Sequence, residues 1–92
     1  MGLPELKIGN LTAKLPIVQG GMAVRISTAP LAAAVANEGG IGVIAATGMG
    51  IMELRKEIRK ARDLGKGIIG VNVLFAVKNF SDLVKTAMDE GI

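Results

Sequence analysis

Apolar residues fall into short runs separated by longer amphipathic stretches, with glycine at most of the junctions. Residues Leu3 to Leu15 alternate weakly and predict a lead-in segment or small hairpin closing one end of the fold, ended by Pro16. Ile17, Val18 and Gln19 then form a short buried strand, broken by Gly20-Gly21. A first helix is expected from near Thr28, a suitable N-cap, since Pro30 falls in a first turn that tolerates proline. Leu31 and Val35, with the small Ala32, Ala33, Ala34 and Ala36, let this helix lie close against a sheet. Gly39 is the natural left-handed residue at its end.

Gly40 to Ala46 reads as a second strand with apolar side chains on both faces, the pattern of a parallel strand covered on both sides. Thr47-Gly48-Met49-Gly50 is the loop after it. A second helix is predicted over Ile51 to Leu64, with Leu54, Ile58 and Ala61 inward. Glu53, Arg55, Lys56, Glu57, Arg59, Lys60 and Arg62 take its wet side, and Gly65 stops it. The third strand is expected from Ile68 to Phe75, with Asn72 set inside it. Asn79 can cap a third helix, and Asp82 suits its positive end. Phe80, Leu83, Val84, Ala87 and Met88 supply the buried stripe of that helix, and Gly91 stops it, leaving Ile92 where a fourth strand would start.

The helix-ending glycines Gly39, Gly65 and Gly91 recur every 26 residues, each followed closely by isoleucine. That is a repeated β–α unit. It predicts an α/β fold made of the first three to three-and-a-half units of a TIM (β/α)8 barrel, with residues 1–15 as lead-in and 16–92 as repeated units. Side chains toward a barrel axis would be drawn from Ile17, Val43, Ile44, Val71 and Val73. The loops after the strands are the expected ligand face.

Composition narrows the function. Half of the residues are hydrophobic but only Phe75 and Phe80 are aromatic, so the core must be aliphatic. The net charge of +3 is a weak bias, and its bases sit mainly in one helix with acids between them. Without aromatic–basic alternation to stack bases, nucleic acid is not an expected partner. Cysteine and histidine are absent, which removes disulfides and thiol- or imidazole-bound metal. Met1 to Asn10 lack the basic start and apolar run of a signal peptide, and Gly39 to Met52 is too short and glycine-rich to span a bilayer. A cytoplasmic location without a membrane partner is the expectation.

Three features could carry chemistry. Gln19-Gly20-Gly21-Met22 ends the first strand, where paired glycines allow close approach of backbone to a flat ligand or simply make a tight turn. Ala46-Thr47-Gly48-Met49-Gly50 leads into a helix N-terminus whose free N–H groups could hold an anion. It lacks the dinucleotide fingerprint, and the glycines of Gly40-x-Gly42-x-x-Ala45 lie inside a strand. Asn72 is expected as a buried amide in an aliphatic strand, to be satisfied either by loop backbone or by the heteroatoms of a bound ring. No histidine, cysteine or tyrosine offers a general base or nucleophile, so no catalytic residue is assigned.

Pro16-Ile17-Val18-Gln19-Gly20-Gly21-Met22, the run from Leu31 to Ile44, and Gly70-Val71-Asn72-Val73, in that order, resemble the start of the nitronate monooxygenase family. The family was formerly called 2-nitropropane dioxygenase and includes flavin-dependent enoyl-acyl-carrier-protein reductases. The resemblance runs from Leu3 to Ile92. It implies a barrel oxidoreductase whose cofactor is flavin mononucleotide (FMN), with Gly21, Met22 and Ala23 against the flavin ring and Asn72 contacting it. It implies a small-molecule substrate, either an alkyl nitronate or an enoyl thioester. The flavin phosphate site and a catalytic histidine lie in later units of the family's barrel, so the 92 residues alone would hold FMN weakly or not at all. Many members also carry a longer segment where this chain has Thr47 to Ile51.

Two other classes stand beside this one. The chain can be a non-catalytic fragment, or one piece of a split barrel whose partner is a second chain or the remaining barrel units; association into a homo-oligomer is also open. A small flavodoxin-like domain complete in itself would need more strands than three and part of a fourth.

Overall fold

The computed structural model describes residues 2–92; Met1, the first residue of the lead-in, lies outside them. The lead-in is a hairpin. Strand β1 (Leu6–Ile8) pairs antiparallel with strand β2 (Leu11–Ala13), setting Leu6 opposite Ala13 and Ile8 opposite Leu11. Gly9 turns the chain at φ +59, a conformation that a side chain would resist. Helix α1 (Ala29–Asn37), strand β3 (Ile41–Ala45), helix α2 (Ile51–Leu64), strand β4 (Ile68–Asn72) and helix α3 (Phe80–Asp89) follow.

β3 and β4 are parallel, pairing Ile41 with Ile68 through to Ala45 with Asn72. The strand expected at Ile17 to Gln19 is reduced to one parallel bridge between Val18 and Ile41. Ile41 N–H donates to Ile17 O at 2.9 Å and Gln19 N–H to Ile41 O at 3.0 Å. Spatial order thus follows chain order, and α1, α2 and α3 pack each on the next in a row. This is a parallel α/β fold. Among the described residues, no helix is long and apolar enough to cross a membrane.

Side chains alternate across the sheet. Ile44, Ala46, Ile69, Val71 and Val73 meet Leu54, Ile58 and Leu83 in the helix-side core. Ile41, Val43 and Ala45, paired with Ile68, Gly70 and Asn72, take the opposite face. The axis set is corrected accordingly: Ile44, Val71 and Val73 face the helices, and Ile17 lines a cleft with Ala34 and Val35 of α1. Of that set, Val43 alone faces away. Both faces of β3 are apolar, so the sequence gives no contrast by which to choose a register of period two.

Helix α1 lies so close to β3 that a Cβ on Gly42 would stand 1.8 Å from the Ala32 carbonyl oxygen. Glycine in the strand and buried Ala32, Ala33 and Ala36 in the helix therefore form one packing device. Helix α2 keeps the expected bounds and buries Leu54, Ile58 and Ala61.

Several expectations are revised. Thr28 and Asn79 occupy N-cap positions, but neither side chain makes a cap hydrogen bond. The Glu57 carboxylate of α2 instead accepts from Ala29 N–H at 2.9 Å, capping α1 from a neighbouring helix. Asn79 donates to Met49 O at 3.1 Å. Met88, placed in the α3 stripe, is 70% exposed. β4 ends at Asn72 and not at Phe75, because its last rung is Ala46 N–H to Asn72 O at 2.9 Å and the chain of β3 turns away at once. Leu74 and Phe75, read as buried strand, are 54% and 81% exposed.

A parallel ladder bonds alternate residues to opposite neighbours. With Asn72 O turned to Ala46, the main-chain groups of Ile69 and Val71 face the outer side of β4, where no strand lies among the described residues.

Candidate functional site

The carboxyl ends of the strands carry three loops: residues 20–28, 46–50 and 73–79. Gln19 decides the course of the first. Where the next main-chain rung would form, its side-chain amide takes over: Nε2 donates to Val43 O at 3.2 Å and Oε1 accepts Val43 N–H at 3.1 Å. Both polar groups of Val43 are thus satisfied without Gly21, whose backbone is released from the sheet. Farther along the same edge, Ala45 N–H donates to Ser27 O at 3.0 Å, so the loop leaves β3 at Gln19 and rejoins it at Ser27.

Between these anchors the chain crosses to Asn72. A Cβ on Gly21 would lie 2.7 Å from Asn72 Cβ and 2.9 Å from its Cγ, whereas a Cβ on Gly20 would meet nothing within 4 Å. The glycine pair therefore lays bare backbone against an asparagine side chain at the sheet's carboxyl edge. Asn72 is exposed there, which corrects the expectation of a buried amide. Met22 and Ala23 follow in the same loop, both exposed. Ser27 is fully buried; its Oγ accepts Met22 N–H at 2.8 Å and donates to Met22 O at 3.2 Å. Met22 is pinned through its backbone while its side chain stays outside.

The second loop is filled rather than open. Met49 is buried in the core, Asn79 occupies its carbonyl, and Arg25 donates to Gly48 O at 3.2 Å. The Arg25 guanidinium also grips Glu53 of α2 with two bonds of 2.9 Å. These bonds hold the Glu53 carboxyl below the usual carboxylate range and raise Arg25. A carboxylate in the first turn of α2 complements the helix N-terminus and sets a negative charge beside the N–H groups that an anion would use. Among the described residues, no group of acidic side chains could hold a metal ion.

The structure thus brings Gly21 and Asn72 together and leaves Met22 and Ala23 beside them. Gln19, Ser27, Arg25 and Glu53, which hold the loop in place, were not marked by sequence reasoning as positioning groups. For Gln19 a signal existed: an amide closing an apolar run immediately before two glycines.

Fold and site define a parallel α/β protein with bare glycine backbone and a carboxamide at its strand ends. In the same region no histidine, cysteine or tyrosine is available as acid, base or nucleophile. The family model described as nitronate monooxygenase matches residues 5–91, and the chain belongs to that family. It is similar to a probable nitronate monooxygenase of Staphylococcus haemolyticus (strain JCSC1435), 41% identical over 64 residues, which are 70% of this chain and 18% of that protein. Among solved structures it is similar to FabK from Thermotoga maritima, with a TM-score of 0.82 and 38% identity, covering 85% of this chain and 25% of that one. The chain therefore spans a quarter or less of the relatives it matches.

Proposed function

We propose that this chain is the N-terminal arc of a (β/α)8-barrel oxidoreductase that binds flavin mononucleotide, with Gly21, Met22, Ala23 and Asn72 against the flavin ring. The observation that carries the reading is the meeting of Gly21 and Asn72 at the carboxyl edge of the sheet. A flat heteroaromatic ring needs an approach free of side chains and donors and acceptors at its rim. Gly20 and Gly21 offer the first, with main-chain groups that Gln19 has released from the ladder. Asn72 offers both a donor and an acceptor on one exposed carboxamide. The residues present therefore fit the ring.

When bound, FMN supplies the redox chemistry. The chain's own residues orient: Ser27 pins Met22, and Asn72 sets one polar contact. Proton transfer is not assigned to any of the 92 residues. The sequential strand order and the open edge of β4 support the remaining barrel units, on the same polypeptide or a second chain, as the complement of this arc.

The family match and the staphylococcal relative favour an alkyl nitronate as substrate, oxidised with loss of its nitro group. The likeness to FabK favours a second reading, in which the family's enoyl-acyl-carrier-protein reductases are the nearer model and the substrate is an enoyl thioester. Oxygen consumption by the full-length flavoprotein with alkyl nitronates, set beside nicotinamide-dependent reduction of an enoyl thioester, separates the two. Activity with neither, despite bound FMN, would overturn the assignment.

A further inference from the structure

Arg25 is the one non-glycine residue among those described with positive φ, at +56. A side chain in this conformation is disfavoured and persists where its surroundings over-determine it. Here they do. Nε and Nη2 of Arg25 grip both oxygens of Glu53 at 2.9 Å, and Nη2 also reaches Gly48 O at 3.2 Å. The preceding residue engages the same glycine, since a Cβ on Gly48 would lie 3.2 Å from Cγ1 of Val24. Loop one is thus fastened to loop two and to the first turn of α2 through Arg25, with Val24 lying alongside Gly48. Toward its other end it is fastened by Ser27.

We propose that Arg25 and Glu53 are a positioning pair that sets the backbone of Gly21, Met22 and Ala23 for the flavin. The inference rests on the reading that this loop faces FMN. It assigns a role to Glu53, which the charge pattern of α2 presents as ordinary solvated surface, and to Arg25 in the loop that reaches it. The fork matters as much as the charge: a planar guanidinium can hold a carboxylate and a carbonyl at once, which a lysine ammonium at the end of a flexible stem does not reproduce.

The test uses full-length protein and the variants Arg25→Met, Arg25→Lys, Glu53→Gln and Arg25→Met/Glu53→Gln. FMN affinity is read by quenching of flavin fluorescence, the bound flavin by its visible absorbance band, and the flavin-free proteins by thermal unfolding. Each single variant is expected to weaken FMN by about two- to fivefold, the scale that a well-formed exposed ion pair supports. Each should also alter the shape of the absorbance band, with little change in the Tm of the flavin-free protein. Arg25→Lys should resemble Arg25→Met, and the double variant should be no worse than the worse single one. Unchanged affinity and spectrum in the variants, with wild type binding FMN, would overturn the positioning role and leave the proposed function standing. Losses that add in the double variant, or that follow an equal fall in Tm, would overturn it as well. Wild-type protein that takes up no FMN would overturn both.

Discussion

Gly21 rests on Asn72, with room between the glycine Cα and the asparagine side chain for hydrogen only: an added Cβ would lie 2.7 Å from Asn72 Cβ. The atom it meets is the root of the asparagine side chain, not its flexible end, so rotation of the amide cannot relieve the clash. Gly21→Ala should therefore displace the loop at a cost of about 1–3 kcal/mol, the range for overpacking a close contact. FMN binding to the full-length protein should fall with it. Asn72→Leu keeps the branch at Cγ while removing both polar groups at an exposed position, so it should weaken flavin binding or shift the flavin's redox potential while Tm stays nearly unchanged. Fluorescence titration with FMN beside thermal unfolding checks both variants.

A second pair of glycines separates packing from approach. Gly42→Ala drives a methyl to 1.8 Å from the Ala32 carbonyl oxygen, between α1 and β3. It should destabilise by at least the upper part of the same range of about 1–3 kcal/mol, or prevent soluble expression. Gly20→Ala has nothing within 4 Å and should leave stability unchanged. Denaturant unfolding of the two variants in the full-length protein, compared at equal slope, measures the difference.

Acid should act on the fold through Glu90. Its carboxylate, with only 8% of the side chain exposed, accepts from Arg55 at 2.7 Å and Arg59 at 2.9 Å. The hydrogen bond from Arg59 is the largest cause that holds it below its ordinary value of 4.5. A carboxyl group whose folded value lies below its unfolded one contributes stability above the unfolded value and loses it as pH falls through the folded value. Tm of the full-length protein measured from neutral pH to well below 4.5 should drop more steeply for wild type than for Glu90→Gln, and the two should converge at the acid end. Parallel curves would contradict this role.

How much was legible follows from what each residue interacts with. Helix α2 could be bounded from Leu54, Ile58, Ala61 and Gly65, because burial by one face of a helix leaves a period in the sequence. The glycine loop and Asn72 could be singled out as exceptions in apolar runs. Their meeting could not, since it depends on Gln19 replacing a main-chain rung with its side chain. Glu53 and Glu57 looked like wet-face acids because nothing local distinguishes a solvated carboxylate from one that reaches Arg25 or the first N–H of α1. Val73, Leu74 and Phe75 extended the strand on paper through hydrophobicity alone, while the end of β4 is set by where β3 runs out.

The 92 residues by themselves should not behave as a stable monomer. Among the described residues no strand pairs with the outer edge of β4, and Val18, Ile26 and Phe75 are among the exposed apolar side chains. Light scattering after size exclusion should show association or aggregation of the isolated segment, with broad, weakly cooperative unfolding. A single species near 9.5 kDa with a sharp transition would contradict this expectation.

The proposed function requires that the carboxyl-edge loops of this chain face a flavin. A crystal structure of the full-length protein grown with FMN tests it most directly. The flavin ring should lie within hydrogen-bonding distance of main-chain atoms of Gly21 to Ala23 and of the Asn72 carboxamide. A ring bound elsewhere, with Gly21 and Asn72 in contact only with each other or with solvent, would contradict it.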